Sequence, residues 1–220
     1  MDDIINNYSL LEHLKVSRET CVDFEKFISL VIQKNKEINL ISKETCSETQ
    51  IRNRHILDSA QIYDFIDLNS NTTIDLGSGA GFPGIVSAIL LKNMKKNIKI
   101  ELYEKSHHKS SFLREVSRKL SLDTEIIQKD LFAMKELKAG TIMARAFKPL
   151  PVVIEFVYKN FSNYKNLVLF MGKSGDKILE ETLNDWELDY EKKKSITSEN
   201  SFLLNIVNIK KKKNANYFDN

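Results

Sequence analysis

Four of the chain's seven glycines fall within eight residues, in Gly77-Ser78-Gly79-Ala80-Gly81-Phe82-Pro83-Gly84. An apolar, β-branched run precedes them and an apolar helical pattern follows, so they occupy a strand-to-helix turn. Glycine there permits positive φ and lets a ligand approach the backbone without meeting a Cβ. In a doubly wound sheet such a turn faces the ligand crevice. Asp75 lies in the preceding strand, and Glu104 stands 27 residues after Gly77, at the end of the next predicted strand. A carboxylate placed there can accept hydrogen bonds from both hydroxyls of a ribose. Asp130, in Lys129-Asp130-Leu131-Phe132, takes the equivalent place after the third strand. The spacing is G-x-G-x-G, with Phe82 where a dinucleotide fingerprint needs its last glycine. No Gly-Lys-Ser/Thr ends the loop, which argues against a nucleoside triphosphate.

These residues need a scaffold to hold them. From Thr72 onward strands and helices alternate, with predicted strands at 73–76, 98–103, 124–128, 141–144 and 167–171. Helical patterns lie between and after them, at about 84–93, 107–120, 150–160 and 176–184. That order implies an α/β fold with a doubly wound, mostly parallel sheet and helices on both faces. Two last strand-like runs, 186–191 and 202–209, flank a turn-like 195–201 and predict an antiparallel hairpin at one edge. The first 65 residues read as helical. After Ser17, an N-cap, apolar residues recur at Phe24, Phe27, Ile28, Val31, Ile32 and Ile38, the spacing of one helical face. A loop near 39–42 leads to a second helical stretch through Ile51, Ile56, Leu57, Ala60 and Phe65. The expected organisation is an N-terminal helical lobe over 1–70, a core over 71–210 and a flexible basic tail over 211–220. Phe24, Phe27, Phe65, Phe112 and Phe156 are expected in the core.

With 220 residues, 42% hydrophobic and 29% charged, the chain is neither disordered nor fibrous in composition. Cys21 and Cys46 are too few for a disulfide framework or a Cys-rich zinc site. His107 and His108 project differently and lack a third ligand, so no metal is expected. No leader pattern opens the sequence and no apolar run approaches the ~18 residues of a membrane span, so a soluble cytoplasmic protein is expected. The net charge of +3 conceals an asymmetry. Residues 1–70 hold eight Lys/Arg against twelve Asp/Glu, and residues 71–220 hold twenty-five against eighteen. The excess concentrates in Lys92 to Leu120 and in Lys192 to Lys213. Two readings stay open: solvated faces of a lysine-rich protein, or a side that meets a polyanion.

The loop, Glu104 and Asp130 together resemble the class I S-adenosylmethionine (AdoMet) methyltransferase fold. Four segments resemble more narrowly the bacterial glucose-inhibited division protein B family, which methylates guanine N7 in small-subunit (16S) ribosomal RNA. They are Asn39-Leu40-Ile41, Arg54-His55-Ile56-Leu57-Asp58-Ser59, the loop with its Gly81-Phe82-Pro83-Gly84 extension, and Ala144-Arg145-Ala146-Phe147. Glu104 with Phe112-Leu113-Arg114 fits as well, and the resemblance runs from about Asn35 to Leu150. It departs at His107-His108, where the family commonly has Lys or Arg, and at Asp130-Leu131, where many members have Ala-Glu.

The resemblance implies an AdoMet-dependent rRNA methyltransferase whose partner is small-subunit rRNA or the small ribosomal subunit; a monomer with no membrane partner is the default expectation. It implies cofactor contacts from Asp75, Gly77, Ser78, Gly79, Ala80, Gly81, Phe82, Glu104 and Asp130. Arg145 is expected at the cleft mouth, positioning substrate and adjoining the cofactor. Guanine N7 carries a free lone pair, so no general base is expected and catalysis is mostly placement. Arg54, His55, Lys109 and Phe147 are the RNA candidates, Phe147 by stacking on the guanine. Structural alternatives accompany them. Arg145 could pair with a rim carboxylate, Arg54 with Asp58 four residues on, and His55 could donate an N–H that fixes the lobe to the sheet. A small-molecule or protein methyltransferase, a nicotinamide-dependent oxidoreductase and a non-catalytic RNA-binding assembly factor are the competing functions.

Overall fold

In the computed structural model, which describes residues 3–212, seven strands form one sheet in the order β3-β2-β1-β4-β5-β7-β6. They are β1 (Thr72–Leu76), β2 (Lys99–Tyr103), β3 (Thr124–Ile127), β4 (Thr141–Arg145), β5 (Asn166–Met171), β6 (Trp186–Lys194) and β7 (Phe202–Lys211). The first five pair in parallel. The predicted hairpin is present, with β7 antiparallel to both β5 and the edge strand β6. Strand β7 runs on to Lys211, one residue into the expected tail, and the tail from 213 onward lies outside the described residues. The helices are α1 (Asp3–Asn6), α2 (Arg18–Asn35), α3 (Glu48–Ile51), α4 (Asp58–Ala60), α5 (Gly84–Asn93), α6 (His107–Lys119), α7 (Leu150–Asn160) and α8 (Gly175–Thr182). Among the described residues, no helix is long and apolar enough to cross a membrane.

Alternation along each strand sorts its side chains between two cores. Ile100 and Leu102 of β2, Met143 of β4, Val168 of β5 and Leu203 of β7 join one cluster with α5, α6 and the N-terminal helices. Ile74 and Leu76 of β1, Ile142 and Ala144 of β4, and Leu167 and Leu169 of β5 join the other, with α7 and α8. Both faces are therefore covered, as a parallel sheet requires. On β1, the residues that alternate with Ile74 and Leu76 face the α5 side, and one of them is Asp75.

Helix α5 is buried on every side, from Ile85 through Leu91. A helix with no polar face needs cover all round. The sheet supplies it below, and α2 and α4 supply it above. The N-terminal helices therefore share a core with the sheet: Phe24, Phe27, Ile28 and Val31 of α2 lie in one cluster with Ile85, Val86 and Ile89. Ser17 caps α2 as expected, its Oγ accepting the Thr20 N–H at 3.2 Å. Two ion pairs clamp α2 in place. Lys92 at the end of α5 donates to Asp23 at 2.9 Å, and Arg52 pairs with both oxygens of Glu25 at 2.8 and 2.9 Å. Between α3 and α4 the chain winds as a π-helical turn, Arg52–Leu57, an irregularity that often marks functional sites. The five phenylalanines expected in the core are buried.

Candidate active site

At the carboxyl ends of the strands, β2 and β3 lie to one side of β1, and β4 and β5 to the other. That switch in strand order opens a crevice. A cleft of about 600 Å³ fills it.

One wall is the glycine turn. Gly77 has a φ of 73°, and a Cβ there would run into the Phe147 ring, so only glycine fits. The Ser78 N–H donates to the Tyr103 carbonyl at 2.9 Å, tying the turn to the end of β2. Glu104, 8% exposed, completes the wall. One of its carboxylate oxygens accepts the Gly79 N–H at 3.0 Å and the other accepts the Ser106 N–H at 2.7 Å. Asp130 sits exposed on the far rim, its Oδ1 accepting the Phe132 N–H at 3.0 Å.

Asp75 requires a correction. It does not line the cleft; the alternation of β1 turns it under the turn, toward α5. Its Oδ2 accepts the Gly84 N–H at 3.0 Å, placing a carboxylate at the positive end of that helix. The other oxygen has no partner among the described residues, and burial pushes the pKa up to about 7, with a smaller contribution from Glu104. Gly81 is also turned inward, against Ile85 and Phe27. Gly77, Ser78, Gly79, Ala80, Phe82, Glu104 and Asp130 do line the cleft.

The facing wall is built from side chains. Arg145, the last residue of β4, reaches Asp58 Oδ2 at 2.9 Å. It donates to the Arg54 carbonyl at 2.6 Å and to Ser59 Oγ at 3.3 Å, and its guanidinium lies 5.6 Å from the Phe170 ring centroid. Burial lowers its pKa and Asp58 opposes that shift. The rim carboxylate for Arg145 thus exists and is Asp58, so the Arg54–Asp58 pair is not formed. The Arg54 side chain is exposed and does not line the cleft; its contribution is a carbonyl from the π-helical turn.

His55 does line the cleft, stacked on Phe82 with centroids 4.8 Å apart. Phe82 in turn packs on Phe27 of α2 at 5.2 Å. His55 Nε2 is buried with no partner among the described residues, so ring packing replaces the expected N–H donation. Burial above all, then the charges of Arg145 and Arg54, bring its pKa down to about 4, and the ring is neutral at neutral pH. Asn35 holds the Leu40–Ile41 floor, its Oδ1 accepting both N–H groups at 2.8 and 3.0 Å.

Lys109 and Phe147, two of the RNA candidates, line the cleft, but the sequence reading missed their neighbours. Lys105, Lys129 and Lys148 join Lys109 on the rim, and none of the four has a carboxylate within ion-pair distance among the described residues. Phe132, 48% exposed, stacks on Phe147 at 6.0 Å, with Lys148 Nζ 5.9 Å above its ring. A usable signal was present: each missed lysine lies within three residues of a strand's carboxyl end, the edge where doubly wound sheets bind ligands. Asp58 was missed as a partner of Arg145 because nothing local links them.

The model of the GidB family, rRNA small subunit methyltransferase G, matches residues 20–207. The ribosomal RNA small subunit methyltransferase G of Pelagibacter ubique (strain HTCC1062) is 60% identical over 212 residues, 96% of this chain and 100% of that one. The same-named protein of Jannaschia sp. (strain CCS1) is 33% identical over 190 residues, 86% of this chain and 89% of that one. In fold alone, the chain is similar to a SAM dependent methyltransferase from Aquifex aeolicus, with a TM-score of 0.52 and 14% identity over 69% of this chain and 89% of that one.

Proposed function

Since the chain belongs to the GidB family and is an S-adenosylmethionine-dependent methyltransferase of small-subunit ribosomal RNA, we propose that its target atom is N7 of a guanine. The cleft suits that cofactor. Glu104 is a buried carboxylate whose two described partners are backbone N–H groups, leaving lone pairs for the two hydroxyls of a ribose. The Gly77–Ala80 turn offers backbone unobstructed by large side chains, and Asp130, on the far rim of the same cleft, is the candidate for the adenine edge. When bound, the cofactor supplies an electrophilic methyl group on a sulfonium.

The chain's own residues then have one task, placement. N7 presents its lone pair without losing a proton, so the cleft needs no base, and neutral His55 beside Phe82 is compatible with that. Holding two reactants in line can lower a barrier by roughly 7–11 kcal/mol. Phe147 and Phe132 offer a ring surface for an unstacked base.

The observation that carries the RNA reading is the rim of Lys105, Lys109, Lys129 and Lys148, four lysines around one cleft with no carboxylate at ion-pair distance among the described residues. Phosphates meet uncommitted positive charge there and release their counterions on binding. A small neutral substrate would give such a rim no work. This reading puts the enzyme in the cytoplasm, with the subunits it modifies.

The test uses radiolabelled AdoMet with purified small subunits, their extracted RNA, large subunits and DNA, from cells lacking the enzyme. Reduction and aniline treatment then break chains at 7-methylguanosine. One cleavage in small-subunit RNA is expected. Label without cleavage would move the target off N7, and label on none of the four would point to a different acceptor class.

A further inference from the structure

Behind the cleft, the carboxylate of Asp58 is held at both ends. Its Oδ2 carries Arg145 at 2.9 Å. Its Oδ1 accepts three donors: Ser195 Oγ at 3.0 Å, Thr197 Oγ1 at 2.9 Å and Gln61 Nε2 at 3.1 Å. Gln61 is fully buried, and its Oε1 accepts the Ile196 N–H at 2.8 Å. The turn between β6 and β7 is therefore stitched to the helix after the π-helical turn by residues 134 to 139 positions apart. None of Ser195, Ile196, Thr197 or Gln61 lines the cleft.

The arrangement leaves Arg145 with a defined remainder. Nη2 donates one hydrogen bond to the Arg54 carbonyl and lies 2.9 Å from Asp58 Oδ2 as an ion pair, and one Nη1 hydrogen goes to Ser59. Of five guanidinium N–H donors, two have hydrogen-bond partners among the described residues, and the Nε hydrogen is among the three that do not. Arg145 lines the cleft beside Ala146 and Phe147, so its guanidinium keeps donors to offer a molecule that the cleft admits. The guanidinium is held by its hydrogen bonds to the Arg54 carbonyl and Ser59 and by the charge of Asp58 at 2.9 Å, and the place of the Asp58 carboxylate depends on what holds Oδ1.

We propose that Asp58 is a positioning residue for Arg145, and that Ser195 and Thr197 anchor it, so that the C-terminal hairpin governs methyl transfer without touching the cleft. This rests on the cleft being the site of methyl transfer. The hairpin hydroxyls hold Asp58, and through its charge the Arg145 guanidinium at the substrate mouth, and leave the glycine turn and Glu104 untouched.

The test is the full-length double variant Ser195→Ala/Thr197→Val, which removes both hydroxyls without removing a charge. With small subunits as substrate, kcat should fall roughly 10- to 100-fold, the scale of a small misplacement of a positioned group. Affinity for S-adenosylhomocysteine by calorimetry should stay within about twofold, since every bond of the cofactor wall is kept. Thr197→Ser alone should keep wild-type kcat. Independently of activity, the Arg145 Nε resonance, assigned by its loss in Arg145→Lys, should broaden or shift in the double variant. An unchanged kcat, a change confined to KM, or an unmoved Arg145 resonance would each overturn the proposal. If the double variant does not fold, Ser195→Ala and Thr197→Val are measured singly against the same criteria. The resonance needs no substrate, so a failure of the methyl-transfer reading would leave that arm intact and would show separately, as an inactive wild type.

Discussion

The two walls of the cleft are held by different kinds of bond. The Gly77–Glu104 wall is largely backbone, with the N–H groups of Ser78, Gly79 and Ser106 all bonded to residues at the end of β2. The Arg145 wall is side chains drawn from β4, the π-helical turn, Gln61 and the hairpin turn, up to 139 residues apart. A backbone wall tolerates many side-chain changes but no added Cβ at Gly77. A side-chain wall concentrates its stability in a few charged pairs that are costly to break singly. Arg145→Ala is the sharpest way to expose this. Removing Arg145 from this half-buried pair takes the ion-pair partner from Asp58 Oδ2 while Oδ1 keeps its three donors, and should cost about 1.5–3 kcal/mol. Urea unfolding should show that drop, while the folded fraction binds S-adenosylhomocysteine nearly as wild type does. An equal drop in cofactor affinity would mean that the two walls are one unit.

Each wall also holds one buried group with a displaced pKa, and the two displacements have opposite consequences. Asp75, under the glycine turn, titrates near 7 in the folded chain against 3.8 unfolded. Its folded pKa is raised, so its contribution to stability is complete below pH 4 and is lost as pH rises through 7. His55, in the facing wall, titrates near 4 against 6.5. Its folded pKa is depressed, so its contribution is present above 6.5 and is lost as pH falls toward 4. Over the shared window the two slopes oppose each other. Asp75→Asn removes one of them and should gain up to about 3–4 kcal/mol relative to wild type between pH 4 and 8. Chemical denaturation across that range measures it. A difference that does not change with pH would mean that Asp75 is ionised throughout.

Glu104→Ala tests the backbone wall on its own terms. It strips the acceptor from the Gly79 and Ser106 N–H groups and removes the proposed ribose contact. S-adenosylhomocysteine binding should weaken by about 1–3 kcal/mol. A weakening of a few tenths would remove Glu104 from the cofactor site.

The same contrast explains what can be read from the sequence. The glycine turn, the strand before it and α5 after it are consecutive, and turn chemistry plus periodicity locate them; the predicted helix 84–93 matches α5 (Gly84–Asn93). Glu104 and Lys109 follow from strand ends and a cap within six residues of each other. Asp75 misleads because its direction depends on which face of β1 carries α5, a property of chain crossing that the local string does not contain. The partners of Asp58 are harder still. Ser195 and Thr197 look like ordinary turn residues, and only the closed sheet brings β6 and β7 beside Gln61. The hairpin strands extend beyond their predicted ends, to Lys194 and Lys211, because both end in lysines that read as loop, residues that an edge strand such as β6 commonly carries.

The rim lysines offer the finest division between regions when they are set against lysines of α6 and α7 that are already paired. Lys119 pairs with Glu115 at 2.7 Å and Lys159 with Glu155 at 2.6 Å, each across one helical turn. Such exposed pairs contribute little to stability and leave no net charge for a phosphate to meet. Lys105 and Lys129 are exposed, line the cleft and have no such partner among the described residues. Lys105→Gln/Lys129→Gln should therefore weaken binding to small subunits and flatten its dependence on salt. The slope of log affinity against log salt should drop by about 0.7–0.9 for each phosphate no longer neutralised. Lys119→Gln/Lys159→Gln removes the same formal charge from the outer faces of α6 and α7 and should leave the slope unchanged. Equal slopes for the two pairs would mean that net charge, rather than the uncompensated rim, draws the RNA.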